Sequence, residues 1–229
     1  MSDTSAPATA SDSTPDPSDP SDRRWLSSTA RGVERRVLAL QAGYLRDDPW
    51  AVAGLAKLRR AAGKTPGQDF GAWSAVASAI ESDLGAGTQE ATWRENAAHA
   101  ALTLYAMHQQ SKTEKMHVPH RSFGRAVREL AEAQGGEDGE SLPPVLRRFQ
   151  ALGTAQGLPE LLHHARSLVM QFRGESIALD YAQLTEHLIA LQDPKRSHRV
   201  RLAWGRDYYR TPDPPFVSDD AATTQGDPS

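Results

Sequence analysis

The chain has 229 residues and no cysteine, which excludes a disulfide framework and any thiolate metal site. Its net charge of −3 hides an uneven distribution. Residues 1–22 hold five Asp and residues 211–229 hold four, with no Lys or Arg in either segment. All 26 bases and 20 of the 29 acids therefore lie between Arg23 and Arg210, a body of net charge +6. Such a body suits a polyanionic partner.

The tails are built from Ser, Thr, Pro, Asp and Ala, and read as disordered acidic segments with little to bury. The remaining residues suffice for one domain, or two closely packed halves, with a real core. No apolar run approaches the roughly 20 residues that span a bilayer, and the acidic N-terminus is unlike a secretory signal. A reducing cytoplasm is the expected location. Of the bases, 21 are Arg, whose planar fork suits phosphate oxygens.

From the N-terminal side, the pattern is helical throughout. Val33, Val37, Leu40 and Tyr44 form one apolar stripe. Asp48 followed by Pro49 reads as an N-cap and first turn, opening a second helix with Trp50, Ala53 and Leu58 inward. The break at 63–67 leads to a short helix around Trp73, Val76 and Ile80. Thr88 opens a longer one. Between Asn96 and His108 it has no acid, Lys or Arg, and its apolar groups surround the axis, so it is expected to be central. Ser122 caps the next helix, with Arg121, Arg125 and Arg128 on one side and Phe123, Val127 and Leu130 on the other. Segment 134–141 reads as a mobile loop separating halves 23–133 and 142–210. Pro143 and Pro144 then start a helix with Leu146, Phe149 and Leu152 inward. Helices over 158–172, 180–191 (capped by Asp180) and 200–209 complete an all-α bundle of eight or nine helices. No alternating strand pattern or fixed-period repeat is present.

Catalytic devices are lacking. His117 with His120, and His163 with His164, have ligand-like spacing but no third ligand in a recognisable pattern, so they are read as structural or surface residues. Asp47/Asp48 read as helix punctuation and Glu137/Asp138 as a solvated loop. There is no G-x-S-x-G elbow and no phosphate-binding loop. Trp25, Trp50, Trp73, Trp93 and Trp204 are assigned to the core. Basic clusters stand out instead: Lys57 with Arg59 and Arg60; Arg121, Arg125 and Arg128; Arg147 and Arg148; and Lys195, Arg196, Arg199 and Arg201. Such a track would grip phosphates without reading bases.

Two stretches carry more specific information: Leu102 to Ser111, continued by Met116-His117 and Ser122-Phe123-Gly124-Arg125-Ala126, and Val200 to Tyr209. Arg147-Arg148-Phe149 and Asp180 to Leu184 lie between them. In this order, over about residues 31–210, the chain resembles the CasB family, the small subunit of the type I-E CRISPR surveillance complex Cascade. The resemblance implies an all-helical, non-enzymatic subunit without cofactor or metal. It implies that the subunit sits as a pair within the complex, against other Cascade subunits. It also implies that the subunit helps hold the target and displaced DNA strands while guide RNA supplies the sequence information. Arg147 and Arg148 match the family's Arg-Arg-Phe element, Arg59 and Arg60 a basic helix end, and Arg125 the Gly-Arg-Ala turn. With Arg121 and Arg128 they form the expected nucleic-acid-binding set. His108, Gln109 and Gln110 are expected to form a polar network, and Trp204, Arg206 and Asp207 to lock the last helix. The competing readings are an architectural adaptor whose basic faces meet protein, and a metal-dependent hydrolase using the histidines.

Overall fold

A computed structural model describes residues 23, 25–81, 88–135 and 144–210. The acidic tails and most of the Gly/Glu-rich segment fall outside this set. Among the described residues there are nine helices: α1 (Ser28–Tyr44), α2 (Pro49–Ala61), α3 (Phe70–Ala79), α4 (Gln89–His108), α5 (Phe123–Ala133), α6 (Pro144–Thr154), α7 (Leu158–Gly174), α8 (Tyr181–Leu191) and α9 (Ser197–Tyr209). The one departure from helical pairing described is an isolated bridge between His117 and Leu179.

The centre is α4, buried continuously from Ala97 through His108. It packs against α1, α2, α3, α7 and α8, which explains why its sequence lacks a polar face. One core runs from Val33 and Val37 on α1 to Trp204 on α9, drawing on helices on both sides of the segment 136–143. A smaller cluster of Leu26, Ala30 and Ala182 pins the N-terminal segment to α8.

Caps mark several helix starts. Ser27 accepts from Ala30 N, Asp69 from Ala72 N, Ser122 from Arg125 N, and Asp180 from both Ala182 N and Gln183 N. Asp48 departs from expectation. It occupies the N-cap position before Pro49, but its side chain makes no capping bond and pairs with Arg46 at 3.1 Å.

The aromatic expectations need correction. On α2 the buried stripe is Ala51, Leu55, Leu58 and Ala61, so Trp50 and Ala53 fall outside it and face solvent. Trp50 is 49% exposed with the Arg36 guanidinium 5.7 Å from its ring, and Trp25 is 51% exposed. Trp73 and Trp93 are half-buried, leaving Trp204 as the fully buried tryptophan.

Two crossings depend on glycine. A Cβ on Gly32 would lie 1.7 Å from the Ala79 carbonyl oxygen, where α1 meets α3. One on Gly124 would lie 2.1 Å from the Trp204 carbonyl oxygen, where α5 meets α9. Backbone cannot swing aside as a side chain does, so the helices must separate. Gly124→Ala is therefore expected to destabilise the protein by about 1–3 kcal/mol, read by urea unfolding, while Gly153→Ala, whose Cβ would meet nothing within 4 Å, stays near neutral.

Candidate nucleic-acid interface

On α6, Val145 and Leu152 are buried and Phe149 packs 5.6 Å from Tyr208, which leaves Arg147 and Arg148 on the outward arc. Both are exposed, and neither makes an ion pair among the described residues. Arg59 and Arg60 occupy the last turn of α2, where the helix dipole favours cations. Arg60 is exposed. Arg59 is half-buried, with one terminal nitrogen buried and unpartnered.

The stripe on α5 is different in kind. Arg121 and Arg125 both reach Glu129 Oε1, at 2.5 Å and 2.9 Å, and Arg128 pairs with Glu132 at 3.4 Å while also donating to the Arg210 carbonyl. These pairs are partly exposed, and surface pairs contribute only about 0–1 kcal/mol each, so they damp the local potential. In the last cluster, Arg196 pairs with Asp193 and Arg201 donates to the Ala155 carbonyl, while Lys195 and Arg199 remain exposed.

Helix α6 packs against α5 and α7, so the Arg147/Arg148 pair and the α5 stripe lie on adjoining helices. Arg59 and Arg60 belong to another part of the bundle, where α2 packs against α1, α3 and α4. A bridging cation was not singled out from sequence. Arg166, on the exposed His163–Arg166–Met170 edge of α7, has its guanidinium 3.2 Å from where a Cβ on Gly63 would lie, just beyond the end of α2. Its signal was a cation at helical spacing with two other outward residues.

The residues expected to be structural divide unevenly. His108 Nδ1 lies 2.9 Å from the Tyr181 hydroxyl. Gln109 organises the turn after α4: its Oε1 accepts from Met116 N and the Tyr105 hydroxyl, and its Nε2 donates to the Lys112 and Glu114 carbonyls. Gln110 makes no side-chain hydrogen bond among the described residues. Trp204 stacks on Phe123 at 4.9 Å and donates from Nε1 to His187 Nδ1 at 2.8 Å. Asp207 lies against Gly124, and Arg206 is exposed with no ion pair to Asp207 among the described residues.

Sequence reading also missed two partners of this network. Gln41 exchanges hydrogen bonds with the His117 backbone. Asp180 accepts from Arg23 at 2.7 Å and 3.1 Å and from His120 N at 2.8 Å. Burial drives the Asp180 carboxyl up, but the Arg23 guanidinium and the Gln183 and His120 N–H groups outweigh it, holding it below its usual range.

The histidines do not assemble a metal centre. His117 Nδ1 accepts from Tyr181 N at 3.1 Å, His120 is exposed, and His163 and His164 sit side by side on α7. Among the described residues no three His, Cys, Asp or Glu side chains gather to hold a metal ion. No described helix is long and apolar enough to cross a membrane.

Residues 54–209 match the family model for CRISPR-associated protein Cse2. The chain belongs to the Cse2 family. Among solved structures it is similar to CasB from Thermobifida fusca, at 35% identity and a TM-score of 0.69, covering 81% of this chain and 99% of that one. CasB from Thermus thermophilus is 26% identical, with a TM-score of 0.54, over 77% and 97% of the two chains. A chain of a CRISPR RNA-guided surveillance complex, at 19% identity, shares the fold with a TM-score of 0.59 over 79% of this chain and 92% of that one. No curated protein sequence matches. The Cse2 model begins at residue 54, inside α2, so α1 lies outside it, although α1 is integral to the core.

The buried histidines set the acid limit of this Cse2 fold. Burial lowers His108 to about 3 and His187 to about 4. The unfolded chain takes up protons on these rings near pH 6.5, whereas the folded state refuses them. Stability is therefore expected to fall as pH drops from about 6.5, by about 1.4 kcal/mol per pH unit for each imidazole. Asp180 adds a further loss below about pH 4. Urea unfolding across this range checks the slope, and His187→Gln should remove one ring's share of it.

Proposed function

We propose that this protein is a non-catalytic small subunit of a CRISPR RNA-guided surveillance complex, and that its cations hold the target and displaced DNA strands after unwinding. The observation that carries this reading is the exposed Arg147/Arg148 pair on α6, free of carboxylate partners among the described residues, in a chain of the Cse2 family. Two adjacent guanidiniums on a rigid helix suit phosphate oxygens and offer no pattern that distinguishes bases.

That division of labour is physically sound. Replacing a DNA duplex with an RNA–DNA duplex is nearly balanced in free energy, so non-specific grip on strand backbones tips it. Guide pairing supplies the sequence information. The reading places the protein in the cytoplasm beside other Cascade subunits and a second copy of itself, with guide RNA contacted at most indirectly and no membrane partner. Arg59 and Arg60 are the second anchor, and Arg121, Arg125 and Arg128 join once their glutamates are displaced.

A second reading has its own observation. Because the α5 cations already bond Glu129 and Glu132, that face is nearly neutral and suits contact with another protein subunit. On this reading α5 is architectural while α6 meets DNA.

Replacing Arg147 and Arg148 together with Glu is expected to weaken DNA binding by the assembled complex at least about tenfold. It should also flatten the log-affinity against log-salt slope by about 1.4, at roughly 0.7 per single-strand phosphate contact. Native mass spectrometry should show intact assembly before DNA is added. Unchanged affinity and slope would sink the assignment. Arg121→Glu with Arg125→Glu should instead expel the subunit from the complex if α5 is architectural.

A further inference from the structure

On α2, Trp50, Ala53, Lys57 and Arg60 recur at three- and four-residue spacing, which places them on one outward strip, and all four are exposed. The strip spans about 15 Å along the helix axis and carries no acid. Trp50 at its start is half exposed. One side of its ring leans on α1: Cζ2 is 3.4 Å from where a Cβ on Gly43 would lie, and the Arg36 guanidinium is 5.7 Å from the ring centroid. The indole is therefore backed by a packed helix and a cation, while its outer side is open to solvent.

An indole fixed in this way offers a π-face on which any base can stack. Charge decides between a base and an apolar protein side chain as its occupant. Arg36, Lys57 and Arg60 make no ion pair among the described residues. Asp48, beside Trp50, is taken up by Arg46 at 3.1 Å, and Asp69 by Lys64 at 3.1 Å. Asp47, the other acid of the turn before α2, is exposed. Phe70, 84% exposed, continues the surface at the start of α3, where the Lys57 stem lies 3.9 Å from where a Cβ on Gly71 would stand. The cores of protein–protein interfaces are depleted of Lys and of charge. Single-strand sites instead combine cations along the backbone path with exposed aromatic rings. Trp50, Lys57, Arg60 and Phe70 have the second composition.

We infer that Trp50 is a stacking platform for one unpaired base of a DNA strand whose backbone runs along α2 past Lys57 and Arg60. The inference rests on the strand-holding function proposed above and adds to it a contact with a base. Arg36 is a positioning residue that holds the ring from beneath.

The test measures binding of the full-length protein, at low salt, to a labelled single strand of about 15 nucleotides and to an abasic strand of the same length. The intact strand is expected to bind at least about fivefold more tightly, the low end of one base–aromatic stack. Trp50→Leu, which keeps an apolar side chain but has no π-face, should remove most of that preference without altering the melting temperature, and Trp50→Phe should retain it. Lys57→Ala with Arg60→Ala should weaken both strands alike and flatten the log-affinity against log-salt slope by about 1.4. Equal affinity of the unaltered protein for the two strands, or a preference undiminished in Trp50→Leu, overturns the platform. If Trp50→Leu leaves strand binding unchanged but expels the subunit from the assembled complex in native mass spectrometry, the face is a protein contact and the inference falls. Arg147→Glu with Arg148→Glu should leave the preference for the intact strand in place, so failure of the α6 strand assignment is read separately from failure of the platform.

Discussion

The enclosure of α4 on every side is the constraint from which the other features follow. A helix buried continuously from Ala97 to His108 needs neighbours all round, and α1, α2, α3, α7 and α8 supply them. Each neighbour spends one apolar face on α4 or on the core around it. Its cations are left on the opposite face. The basic exterior is thus a geometric result of a central helix that carries no Lys, Arg, Asp or Glu in that stretch.

The cost of burying that helix appears at its C-terminal end, where backbone groups of the following turn would otherwise lack partners. Gln109 satisfies three of them and the Tyr105 hydroxyl, Gln41 closes onto His117 from α1, and His108 meets Tyr181 from α8. Asp180 then ties the start of α8 to Arg23 and His120. Segments far apart in the chain converge here, so the N-terminal and C-terminal helices share one polar centre as well as one apolar core. Such a centre favours rigidity, since each unpaired member would leave a buried polar atom exposed to a low-dielectric interior.

Charge on the surface is sorted by its partners. Arg125 and Arg128 are damped by glutamates one helical turn away, and Arg121, just before α5, by the same Glu129, whereas Arg147, Arg148, Arg60 and Arg166 face outward without carboxylates among the described residues. Sequence clusters that look equivalent therefore differ in the potential they present. The relationship to CasB structures concerns the whole bundle, with 99% of the Thermobifida fusca chain covered.

Much of the fold was legible because helix periodicity and capping are local. The stripe at Val33, Val37 and Leu40, the caps at Ser122 and Asp180, and the central character of the fourth helix all depend on residues a few positions apart. The resemblance at Leu102–Ser111 and Val200–Tyr209 was equally readable from the chain. What tertiary structure decided was every property that depends on a distant neighbour. Trp50 turns outward because the inward stripe of α2 falls on Ala51, Leu55, Leu58 and Ala61. Arg121 and Arg125 share one glutamate, and Arg166 comes beside the end of α2 across about a hundred residues of chain. Local pattern determines which elements form, while burial and ion pairing are set by packing between them.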